Sequence, residues 1–290
     1  MNTKNVMITE DSNTAGALIW WELTGKVDYA SLTTEWTAAG LDPALLPELP
    51  SALSALHRAV HDFAGKRTLA RRLDAGHWAL VEEAIVGVGA GKKPSYIVHI
   101  TARLSDDPAH GATDDNPALI IEPEHNGIRE RFEEYKAKLD TNDVSNWLIK
   151  RCVAHAAVSL RKLGGLYFVP RGTLDQFRAE ARALEKASGN NIWRAPALRA
   201  EEAVAAVLAG ITAEAEAEAA RFEEALIEGK LGERGLNNRV GDAQKMKAKL
   251  AHYEELLGVS LGALGEKLER LRANLAAAAL MAAADESEAA

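Results

Sequence analysis

The sequence predicts an α+β fold: an antiparallel sheet packed with helices, followed by a long C-terminal antiparallel helical hairpin of coiled-coil type. Three observations carry this. Residues 17–121 hold short runs of β-branched, aromatic and alternating side chains, separated by turns rich in Gly, Pro and Asp. From residue 198 the composition shifts to Ala, Glu and aliphatic residues, which favour helix. Leu257, Leu261, Leu264, Leu268, Leu271 and Leu275 recur at spacings of 4, 3, 4, 3 and 4, the a/d seam of a coiled coil. The expected division is a disordered N-terminus over 1–14, an α+β body over 15–197, the hairpin over 198–283 and a disordered tail over 284–290.

Taken in order, Ala17 to Leu23 reads as a strand, and its Trp20-Trp21 pair sends one ring to each face. Packing of both rings is favoured over a stacking platform for a base or ligand. Asp28 to Ala39 reads as a helix. Pro43, Pro47 and Pro50 then break the chain, and Ser51 is placed to cap a helix reaching Phe63. Thr68–Asp74 and His77–Val86 form a hairpin around Ala75-Gly76. Ser95–Leu104 is the clearest strand, and Ala118–Ile121 a short one, so residues 17–121 are expected to make one antiparallel meander.

His125–Leu139 reads as a helix. A second helix is expected over Val144–Leu163, with Ile149, Val153, Ala156, Leu160 and Leu163 on its buried stripe. Gly164-Gly165 turns the chain into an apolar strand ending at Pro170. Thr173 and Gln176 fit a capping box for the next helix. Ile192-Trp193 adds a last strand. Residues 200–229 form the first long helix, 230–242 a loop, and Ala243 to about Met281 the second.

Composition narrows the function. Net charge is −8, which argues against a mainly electrostatic nucleic-acid binder, although a local basic face can override the total. Cys152 is the only cysteine, so an intramolecular disulfide and a Cys-based zinc site are both excluded. The first residues lack the basic-then-apolar order of a signal peptide, and no apolar run approaches the length of a membrane span. The expectation is a cytoplasmic protein without membrane attachment.

No complete catalytic or metal signature is present. Gly87–Pro94 fails the phosphate-loop pattern, because Lys93-Pro94 follows where Ser or Thr is needed. His57 and His61 are four apart, but Arg58 stands where a zinc protease carries Glu, and two surface histidines are the favoured reading. Asp106, Asp107, Asp114 and Asp115 crowd one loop without the order of a calcium loop. Ser95, Ser159 and Ser188 lack a nucleophile context, and Glu82-Glu83 point to opposite faces of a strand. No catalytic, cofactor or metal residue is assigned, and no cofactor is implied.

One basic group stands out. Arg151, Arg161, Lys162 and Arg171 surround the Gly164-Gly165 turn, a candidate contact for nucleic acid or phosphate. A solvated face salt-bridged to the acidic helices is the favoured alternative.

Arg67-Thr-Leu-Ala-Arg-Arg-Leu73, His77-Trp-Ala-Leu-Val-Glu-Glu83 and Leu160-Arg-Lys-Leu-Gly-Gly-Leu-Tyr-Phe-Val-Pro170 together resemble a family of uncharacterised proteins of phages, plasmids and other mobile elements. The resemblance covers about residues 50–190 and carries no assigned chemistry. It implies a mobile-element or host-interaction role.

The leading expectation is a non-enzymatic interaction or assembly protein, binding a protein partner or itself through the leucine seam. A nucleic-acid-associated accessory protein using the basic face is the second reading. A metal-dependent hydrolase with dispersed ligands is the third.

Overall fold

A computed structural model describes residues 14–86, 93–113, 116–161 and 164–288. In chain order its elements are β1 (Thr14–Glu22), β2 (Val27–Asp28), α1 (Tyr29–Ala38), α2 (Ala52–His61), β3 (Thr68–Asp74), β4 (His77–Val86), β5 (Lys93–Ser105), β6 (Ala118–Glu122), α3 (Asn126–Ala137), β7 (Lys138–Leu139), α4 (Thr141–Ala154), β8 (Val158–Ser159), β9 (Tyr167–Pro170), α5 (Arg171–Ser188), β10 (Asn191–Leu198), α6 (Glu201–Glu228), α7 (Glu233–Leu257) and α8 (Gly262–Glu288). The α+β class, with antiparallel sheets and packed C-terminal helices, is the one expected.

The chain forms two compact units that interleave along the sequence. The first takes the described parts of 1–22, 148–181 and 191–290, and the second takes those of 23–147 and 182–190. The linear division at 197/198 is therefore not the spatial one. The C-terminal helices share a unit with the first strand of the chain.

In the first unit the sheet order is β10-β1-β9-β8, all antiparallel. The expected single meander over 17–121 does not occur, because β1 pairs with β9 and β10, which lie far away in sequence. Pro196 sits within β10, at the sheet edge, where a missing N–H costs no ladder bond. Phe168 and Val158 are buried with Val207, Ile211, Phe222, Leu250, Tyr253, Leu268 and Leu275 in one core beneath α6, α7 and α8. Burial of large apolar side chains at about 1.5–3 kcal/mol each is what holds these helices on the sheet.

The C-terminal helices are three. The expected loop over 230–242 is mostly α7, whose Leu236, Ala243 and Met246 pack into the core. Tertiary burial overrides the weak helix propensity of Gly235, Asn237, Asn238 and Gly241. The expected continuous helix over 243–281 breaks at Gly258, a left-handed cap whose N–H donates to the Glu254 carbonyl. Helix α8 then runs through the tail expected to be disordered, as far as Glu288.

In the second unit β3-β4-β5-β6 form an antiparallel sheet, and β2 pairs with β7. Helices α2 and α3 cover one face. Leu56, Val60, Ile128 and Phe132 meet Leu80, Ala102 and Ile121 there. Ser51 caps α2 as expected, its hydroxyl accepting from Ser54 N–H at 3.2 Å. Trp36 meets Trp147 edge-on at 5.5 Å, and Arg58 holds Asp143 through two bonds of 2.5 and 2.7 Å.

Candidate functional site

The region around Gly164-Gly165 is built from the end of α4 onward. Helix α4 stops at Ala154, nine residues before the expected end at Leu163. Ala156 takes a left-handed φ of 56°, and Val158-Ser159 then pair with Phe168 and Tyr167 as a hairpin. Gly164 and Gly165, at φ 72° and 85°, close that hairpin in a conformation that favours glycine. Tyr167 lies flat against Trp21, their rings 5.2 Å apart and 7° from parallel.

A left-handed alanine costs on the order of 1–3 kcal/mol. Three side chains from two helices hold the turn in place. Thr173 of α5 donates to the His155 carbonyl at 2.8 Å, Tyr253 of α7 to the Ala156 carbonyl at 2.8 Å, and Lys249 of α7 to the Ala157 carbonyl at 2.7 Å. Thr173 is thus a donor to the preceding turn and not the N-cap expected; α5 already begins at Arg171. Burial pushes the Tyr253 hydroxyl above its ordinary range, with Glu214 adding to the shift, so it stays a donor.

The buried stripe of α4 is rotated from the one expected. Leu148, Arg151, Cys152 and His155 face inward, while Ile149 and Val153 are 37% and 66% exposed. What sequence reasoning could not see is the partner that makes this rotation possible. Glu180 of α5 is 1% exposed. It receives Arg151 through Nε at 2.9 Å and Nη2 at 2.7 Å, and its Oε2 lies 3.0 Å from His155 Nε2. Burial alone would raise the Glu180 pKa, but the hydrogen bonds from His155 and Arg151 outweigh it and hold the carboxyl below its ordinary range. The 25-residue separation of His155 and Glu180 offers no sequence signal.

Arg151 is therefore buried and bonded to Glu180 inside the fold. Arg161 and Arg171 are exposed, and Lys162 lies outside the described residues. Cys152 beside this cluster is 1% exposed, and burial, with Glu180 adding to it, pushes its thiol up to about 12. A thiol so placed carries no nucleophilic role.

The leucine seam is spent within the chain. Leu261, Leu268, Leu271 and Leu275 are buried in the first unit's core, and Leu257 and Leu264 pack partly buried against it. On the C-terminal helices, Ile227 of α6 and Leu280 and Met281 of α8 stand out at 85%, 75% and 70% exposure. Between residues 273 and 284, α8 carries no charged side chain.

A groove runs along α6 and α7 where the end of α4 meets them, enclosing about 700 Å³. Every residue lining it belongs to the first unit. Val153, Ala154 and Met246 give it apolar surface, and Glu214, Lys245 and Lys249 are among the charges at its sides.

The other sequence candidates resolve simply. His57 and His61 meet edge-on at 4.3 Å and both meet Trp78, at 4.6 and 5.4 Å, in an aromatic cluster on α2 and β4. Burial, then the nearby His61 and Arg58, keep His57 below its ordinary pKa. Trp21 is packed, whereas Trp20 is 37% exposed opposite Trp193 at 46%. Gly87–Lys92, Asp114 and Asp115 lie outside the described residues. Among the described residues, no three His, Cys, Asp or Glu side chains are grouped to hold a metal ion, and no helix is long and apolar enough to cross a membrane.

A family model described as a family of unknown function, DUF6744, matches residues 15–286, which spans both units and the C-terminal helices. Neither the search of curated proteins nor that of solved structures returns a match.

Proposed function

The chain belongs to this DUF6744 family of unknown function, and we propose that it is a non-enzymatic interaction and assembly protein of a phage, plasmid or other mobile element. The mobile-element part rests on the resemblance carried by Gly164-Gly165-Leu-Tyr-Phe-Val-Pro170. The assembly part rests on one observation: with the seam leucines spent in the core, α6 and α8 still hold Ile227, Leu280 and Met281 out to solvent. Large apolar side chains left exposed beside a stretch of α8 that carries no charge between residues 273 and 284 favour association through the outer face. A second copy supplies the same face, as an isologous contact requires.

Light scattering coupled to size exclusion, run over a hundred-fold range of concentration, tests this. The expected result is a mass that rises with concentration and returns to that of a monomer in the Leu280→Glu, Met281→Lys double variant. A strictly monomeric wild-type chain at every concentration would remove the self-assembly form of the proposal. The nucleic-acid reading keeps Arg161 and Arg171 as exposed cations but loses Arg151. Salt-dependent binding of DNA or RNA that Arg161→Ala and Arg171→Ala together abolish would restore it.

A further inference from the structure

We propose that the groove along α6 and α7, at the end of α4, receives an amphipathic helix from a partner protein. It is a different surface from the outer face of α8, so either proposal can fail without the other. Three observations lead to it.

The first is apolar exposure beside a concave surface. Val153 lines the groove at 66% exposure, and Ile149, one turn earlier on α4, is 37% exposed. An i, i+4 aliphatic pair on a short helix is normally turned inward. Here the inward positions are taken by Arg151 and His155, which are tied to Glu180. The aliphatic pair is displaced to solvent by that ion cluster and left without cover.

The second is length. Lining residues on α7 run from Arg239 to His252. At about 1.5 Å per residue that is roughly 20 Å, the span of three to four helical turns. The volume alone would suit a small molecule, but a lining spread over this distance suits a rod-like ligand, laid in as helix-in-groove recognition requires.

The third is charge. On α6 the lining carries Glu214 and Glu218, and on α7 Lys245 and Lys249. One turn further along, Arg221 on α6 and Asp242 on α7 reverse the signs, and Arg239 on α7 returns to positive. A single-sign ligand, such as nucleic acid or an acidic tail, would meet repulsion as well as attraction on both walls there. A helix with both signs of charge beside its apolar stripe would find a partner on either wall. Lys249 is held inside by Glu214 and the Ala157 carbonyl, but nearer the surface Arg221 pairs with Glu218 at 2.5 Å and Lys245 with Asp242 at 3.6 Å. Exchanging exposed pairs for intermolecular ones costs little.

The test is selection of a displayed library of helical peptides on the full-length chain, in parallel with Val153→Glu and Lys245→Glu. Both positions are largely exposed, so both variants are expected to keep the wild-type circular dichroism and melting temperature. The expected outcome is enrichment of peptides with apolar residues at i, i+3 or i+4, and i+7, flanked by both signs of charge. Their affinity should fall at least ten-fold for Val153→Glu and about three-fold or more for Lys245→Glu. Equal enrichment on wild type and both folded variants would overturn the proposal. So would enrichment of peptides flanked by one sign only. A wild-type dimer that Val153→Glu alone converts to monomer would overturn the partner assignment and make a second copy of the chain the occupant.

Discussion

Glu180 shows how one buried side chain sets the character of its surroundings. A carboxylate 1% exposed is tolerable only because Arg151 and His155 supply hydrogen bonds to it. Its pKa is depressed in the folded chain. Its contribution is therefore fully present above the ordinary carboxylate range and is lost as pH falls through the lowered folded value. Chemical denaturation at a series of pH values should show stability declining on acidification, and Glu180→Gln should flatten that decline while lowering stability at neutral pH. Removing one partner of a buried pair costs about 3–5 kcal/mol.

Gly210 makes the opposite point about helix propensity. In the Ala-rich α6, glycine costs about 1 kcal/mol relative to alanine. Yet a Cβ there would lie 2.6 Å from a Val158 methyl and 2.9 Å from the Ser159 carbonyl oxygen. The helix crosses the hairpin strand β8 too closely for any side chain. Gly210→Ala is therefore expected to lower the melting temperature, against the direction that propensity alone predicts. An unchanged or higher melting temperature would show that the contact yields easily.

Among the elements, α7 is the one that ties helix bundle to sheet. Tyr253 and Lys249 cap the carbonyls of a turn held open by Ala156, and the body of Tyr253 is fully buried beside Phe168. Tyr253→Phe retains the packing and removes one bond to a partly buried carbonyl, at a cost of about 1–3 kcal/mol. Leu275→Ala in α8 removes packing at a fully buried position and should cost about 2–5 kcal/mol. Urea denaturation of both variants measures the difference. If Leu275→Ala were neutral for stability but disrupted a multimer, the seam would serve an intermolecular contact and not the core.

At the scale of the whole molecule, the first unit is assembled from three separate stretches of chain. A truncated chain ending at residue 197 would lose α6, α7 and α8, and with them the cover of Phe168 and Val158. It is expected to bind an apolar dye and to lose part of its cooperative thermal transition. The converse result, an intact transition without dye binding, would show that residues 15–197 fold as the independent body that linear reading suggests. Net charge of −8 acts at this scale too, and it opposes general nucleic-acid binding more strongly once Arg151 is withdrawn from the surface.

Sequence by itself determined what depends on near neighbours. Periodicity placed the strands of the second unit, Ser51 capped α2, and Gly164-Gly165 turned the chain, because caps, turns and alternation are settled within a few residues. It also identified Leu261, Leu268, Leu271 and Leu275 as an apolar seam. Tertiary structure alone decided where that seam went. It paired β1 with β9 and β10, drew Arg151 inward to Glu180, turned Ile149 and Val153 outward and broke the long C-terminal helix at Gly258. Each of these is set by a partner many residues away, and the free energy of burying a charge with its counterion or a leucine with its neighbours exceeds the local preferences that sequence displays.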